Sequence, residues 1–144
     1  MTLISSLRFG DIEAILACGR FMKIMRSIAA VTAGYLIFGI SAGLLFRLAQ
    51  RDPHAPAPVT FMILSTVYGL VFACLGGYVA ARIAQRLELL HAVVLALLMA
   101  TFALISLFAA IDKGSVWSQI AALLFMAPAA AVGGMVRLKS KESP

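Results

Sequence analysis

The stretch "GGYVAARIAQRLELLHAVV", residues 76–94, lies between two long apolar runs, and the fold turns on how it is read. As one helix with its flanks, residues 60–111 would extend about 78 Å at 1.5 Å per residue. That is more than twice a hydrocarbon core of roughly 30 Å. Arg82, Arg86 and Glu88 would then fall at its middle. The alternative is a helix end, a turn and a new helix, with arginine near one C-terminus and glutamate near the next N-terminus, where each suits the helix dipole. No Gly or Pro occurs within 82–88, so the energetics predict a break without locating its residue.

The rest of the chain repeats this alternation. No Asp, Glu, Lys or Arg occurs in 27–46, 60–81, 89–111 or 114–136, and each window holds the roughly 20 residues that cross a bilayer. With 62% hydrophobic residues and a mean hydropathy of +1.01, too little polar surface remains for four buried helices of a soluble protein. The expected fold is all-α: four transmembrane helices over about 27–46, 60–81, 89–111 and 116–136, forming an up-down bundle within 27–137, with a basic tail at 138–144.

Net charge +6 is better read as orientation than as nucleic-acid binding. Arg8, Arg20, Lys23, Arg26, Arg82, Arg86, Arg137, Lys139 and Lys141 would share the N-terminal side, against Arg47, Arg51 and Lys113 opposite, nine to three. The positive-inside rule then puts both termini in the cytoplasm, and a bacterial inner membrane is the expected location. Residues 1–26 have two readings. Ile4, Leu7, Ile12, Ile15 and Leu16 approximate one face of a short helix lying in the interface; alternatively, "MKIMR" from Met22 is the natural start, with the lead before it misassigned. The 27–46 run outlasts a cleaved signal core and reads as a retained span. Cys18 and Cys74 fall at different depths and suggest no bridge.

Helices in lipid associate where small side chains let backbones approach. Span two carries Gly69, Ala73, Gly77 and Ala81 at four-residue spacing, with Gly76 and Ala80 on the adjoining ridge, and is the expected centre of the bundle. Gly39 and Gly43, and likewise Ala30 and Gly34, in span one, Ala92, Ala96 and Ala100 in span three, and Ala130 and Gly134 in span four are further packing candidates. "GGYVAAR" and "GGMVR" close spans two and four alike, a faint echo of two hairpins in one orientation. Arg82, Arg86, His91, Arg137 and Lys139 are expected at lipid headgroups, and Trp117 as an interfacial anchor.

Little points to chemistry. Glu88 and His91 form one Glu-x-x-His, whereas di-iron bundles use paired copies, and His54 belongs to the opposite side, so no metal or other cofactor is expected. No span core holds a charge of the kind that ion-coupled transport uses. Ser118 and Gln119 have only Asp112 nearby, with His54 across in a loop, and no spacing supports a catalytic triad. An enzyme is not expected. A path lined by hydroxyls would run along Thr66, Thr101 and Ser106.

At "GGYVAARIAQRLELLHAVVLALLM" the chain resembles small four-span bacterial membrane proteins of unknown function, whose second span ends in Gly-Gly-x-x-Ala-Ala-Arg-Ile and whose third opens with histidine. Gly76, Gly77, Ala80, Ala81, Arg82, Ile83 and His91 carry the likeness, which implies the four-span layout over residues 22–140 and transfers no activity. The expected role is a non-enzymatic membrane protein whose partners are the bilayer and either a second copy or another membrane protein. The runner-up is a small oligomeric channel or carrier for a neutral or lipidic substrate.

Overall fold

The structure, a computed structural model, describes residues 9–110 and 115–142, with the side chains of 9–12, 14 and 15 left out; Ile111 and the expected turn from Asp112 lie outside them. It is helical throughout, with no strand among the described residues. Helix α1 spans Phe9–Leu48, α2 Val59–Ala84, α3 Glu88–Ala110 and α4 Trp117–Glu142. All four are long and apolar enough to cross a membrane. No break separates residues 9–26 from the first span, because nothing between them ends a helix. Arg26 reaches from α1 to the far end of α2, its Nε donating to Ile83 O at 2.7 Å, and so satisfies one carbonyl left free where α2 stops.

The break inside 76–94 falls at Gln85–Leu87. Gln85 (φ 57°) and Leu87 (φ 50°) both take the left-handed conformation, and the Gln85 N–H closes the last turn on Ala81 O. A side chain in that conformation costs about 1–2 kcal/mol, and here two non-glycine residues bear it. We therefore expect Leu87→Gly, at an exposed position, to raise the unfolding midpoint in detergent, by about 0.5–1 kcal/mol after the entropy that glycine adds to the unfolded chain. A β-branched Leu87→Val should lower it. A midpoint unmoved by either change would mean that the turn carries no strain.

Helix α2 packs against all three others. Its Gly76–Gly77 pair serves two neighbours. Gly76 faces α1, where a Cβ would stand 2.6 Å from Gly34 O, and one on Gly34 would stand 2.7 Å from Gly76 O. Gly77 faces α4, where a Cβ would fall on Ala130 O, and Gly133 meets Cys74 O of α2 in return. Gly69 lies under the Met126 side chain, and Ala73 and Ala81 are buried on the same helix. The second Gly-Gly pair divides its contacts in the same way, Gly133 to α2 and Gly134 to Ala92 of α3. Gly39 and Gly43 behave otherwise. Both are exposed, and a Cβ at either would meet nothing within 4 Å, so they pack on no helix of this chain. The tight α1 contact is made one turn earlier, at Gly34.

Helix α4 is not uniform. Over Ala122–Met126 it widens into a π-turn, with Ala127 N–H donating to Ala122 O five residues back. Pro128 follows at once. Lacking an N–H, it would crowd the carbonyl four residues earlier in a regular helix, and the wider turn relieves that crowding.

Candidate functional site

The bundle carries polar groups at both ends. Where α2 turns into α3 and α4 finishes, Glu88 opens α3 at 5% exposure. Lys141 Nζ stands 3.0 Å from its Oε1 and Arg137 Nε 3.7 Å from Oε2, so two residues of α4 hold the carboxylate. Arg137, expected at lipid headgroups, thus stands beside a carboxylate of its own chain, at ion-pair distance and without a hydrogen bond at its Nε. Arg82, Arg86 and Lys139 are exposed. His91 takes no part in the Glu88 cluster. Its Nδ1 lies 3.0 Å from Leu87 O, which turns it back onto its own helix.

The other end is built by the loop between α1 and α2. Three consecutive residues of α4 hold three consecutive residues of that loop. Trp117 Nε1 donates to Ala55 O at 3.4 Å, the Ser118 hydroxyl donates to Pro53 O at 2.7 Å, and Gln119 Nε2 is 2.6 Å from His54 Nδ1. Gln119, 5% exposed, also lies 3.5 Å from Ser106 Oγ of α3. His54 is set by its own N–H, which donates to Asp52 Oδ1 at 2.8 Å. Trp117 belongs to an aromatic cluster within the chain, 6.2 Å from Phe46 and 6.3 Å from Phe61, with the Arg51 guanidinium 5.2 Å from the Phe61 ring centre. Trp117, expected as an interfacial anchor, is thus also a packing residue within the chain.

Beneath this polar cap is a cavity of about 480 Å³. Tyr35, Phe38 and Phe46 of α1, Ser65, Tyr68 and Gly69 of α2, Met99 and Phe102 of α3, and Ala122 and Met126 of the π-turn line it, mostly with apolar surface. No Asp, Glu, Lys or Arg is among its described walls. Ser65 turns its hydroxyl to Phe61 O at 2.7 Å and leaves the wall apolar. Thr66 and Thr101 do likewise, to Met62 O and Leu97 O, and neither lines the cavity. Of Thr66, Thr101 and Ser106, only Ser106 reaches the space.

The sequence put His54 in a loop at the same end as Ser118 and Gln119 but offered no spacing that joins them, since His54 and Gln119 stand 65 residues apart. Their meeting depends on the turn at Asp52–Ala55, closed by Ala55 N–H donating to Asp52 O at 3.1 Å, which folds His54 across the helix ends. Among the described residues, no group of three or more His, Cys, Asp or Glu could hold a metal ion. The cavity can seat an uncharged apolar molecule with a polar group held under His54, Ser106 and Gln119. Comparison with protein-family models, with curated proteins and with solved structures gives no significant match for this chain.

Proposed function

We propose that this is a multi-pass protein of a bacterial inner membrane, with both termini cytoplasmic, that binds a neutral, lipid-like molecule in its cavity as a small carrier. The cavity carries this reading. Its volume falls within the range of ligand pockets, it has apolar walls and a polar cap, and it sits between helices suited to a bilayer. The nine-to-three charge bias supports the orientation and puts the capped end outside. A fixed charge or phosphate would find no countercharge among the described walls, and desolvating it would be costly.

Trp117, the single tryptophan of the chain, lines the cavity and reports on it directly. In proteoliposomes, 9,10-dibromostearic acid methyl ester should quench its fluorescence saturably, well beyond brominated phosphatidylcholine at equal bromine content. Unlabelled methyl stearate should reverse the effect. Ala103→Phe, which projects a ring into the space from a buried wall position, should abolish the saturable part. Quenching that only follows bromine content in the bilayer would reject the cavity as a binding site.

The association role retains one observation in its favour, the open Gly39–Gly43 face of α1, where a second helix could approach closely. A non-saturable signal from protein that runs as a defined oligomer would favour that role.

A further inference from the structure

The walls of the cavity differ in how they meet the surroundings. Of the residues that line it, Gly43 on α1 and Phe102 on α3 are exposed, and the others are buried or half-buried. These two belong to the helices that flank one seam. Nearer the termini that seam is closed, first by Gly34, where a Cβ would stand 2.7 Å from Leu95 Cδ2, and then by Tyr35 against Phe102, ring centres 5.4 Å apart. Beyond Tyr35, α1 presents Gly39 and Gly43, and open space stands at both. Gly43 lies 17 residues past Arg26, about 26 Å along α1, and Phe102 lies 14 past Glu88, about 21 Å along α3. Both levels fall within a hydrocarbon core of roughly 30 Å, in the half away from the termini.

We propose that the ligand reaches the cavity sideways, through a portal between Gly43 and Phe102 that opens onto the hydrocarbon of the outer leaflet. The proposal rests on the binding role argued above and narrows the ligand to a membrane-dissolved amphiphile with a single chain. The cavity has room for roughly 16 groups of water size at about 30 Å³ each. A longer chain leaves its tail in the lipid through the same gap, while its polar group rests under the cap. Glycine at 43 keeps the gap open, since any larger side chain would stand in it. The exposed Phe102 ring forms the opposite jamb.

The test is the onset of Trp117 quenching in proteoliposomes mixed rapidly with the dibrominated methyl ester. Gly43→Leu adds its side chain into open space, which leaves the bundle folded, and should slow the onset at least tenfold. Phe102→Ala should speed it about threefold. Leu64→Phe, which adds bulk on an exposed face of α2, should leave the rate unchanged. Saturable quenching in the wild type, with onset rates the same in Gly43→Leu and Phe102→Ala, overturns the portal and leaves the binding role standing. Absence of saturable quenching in the wild type removes the binding role itself, and the two failures cannot be confused.

Discussion

Gly77→Leu is expected to abolish the folded bundle. A Cβ at 77 falls on the carbonyl oxygen of Ala130, a backbone atom that cannot rotate away as a side-chain tip would. The same contact is reinforced from the other side by Gly133 against Cys74 O, so α2 and α4 touch backbone to backbone over about one turn. Extra atoms in a close-packed site cost about 1–3 kcal/mol and more where nothing can yield. In the membrane location proposed above, lipid also supplies no hydrophobic force to hold parted helices together. Gly77→Ala should cost about 2–3 kcal/mol, and Gly77→Leu should leave no cooperative transition. The measurement is unfolding in mixed micelles titrated with a denaturing detergent. Gly39→Leu, the same change at a glycine with open space around it, serves as the control and should stay within about 0.5 kcal/mol of wild type. Equal losses at 77 and 39 would mean that the α2–α4 contact is not the centre of stability.

The second large effect is expected further along α4, towards its C-terminal end. Removing both cations in Arg137→Ala/Lys141→Ala leaves Glu88 at 5% exposure with neither of its counter-ions. Uncompensated buried charges cost about 3–5 kcal/mol. Lys141 is 58% exposed and Arg137 24%, so solvent screening reduces the expected loss to about 1–3 kcal/mol. Adding Glu88→Gln to the double variant should restore at least half of it, because a neutral amide is far cheaper to bury than an unpaired carboxylate. The same detergent titration reads all three variants, and their coupling separates the pair from each residue's own packing. A triple variant no more stable than the double would show that the cations act by packing alone.

The layout was legible because bilayer physics is written at coarse grain. Four uncharged windows match α1 to α4, and the prolines after Arg51 mark where α1 has ended. The break within 76–94 was legible only as a necessity. Its place at Gln85–Leu87 was not, since two residues without left-handed preference adopt that conformation. Spacing identified Gly69, Ala73, Gly77 and Ala81 as a common face but could not say which glycines meet a neighbour. Gly39 and Gly43 have the same spacing as Gly69 and Ala73, yet stand open. The difference lies in helix rotation, which a one-dimensional pattern does not encode. The cavity was illegible for a related reason. It is a gap between four helices, and its cap joins His54 to Gln119 through a loop whose path only the folded chain defines.

The division of each Gly-Gly pair between two neighbours also bears on how the protein is made. Gly76 can meet Gly34 as soon as the first hairpin is synthesised, but Gly77 must wait for Ala130 and Gly133. From Ala84 to Arg137 the ribosome adds 53 residues, which takes about 3–10 s at 5–20 residues per second. For that interval the nascent α2 holds a bare glycine face without its partner. In those seconds any other apolar helix within reach can occupy the seat meant for α4.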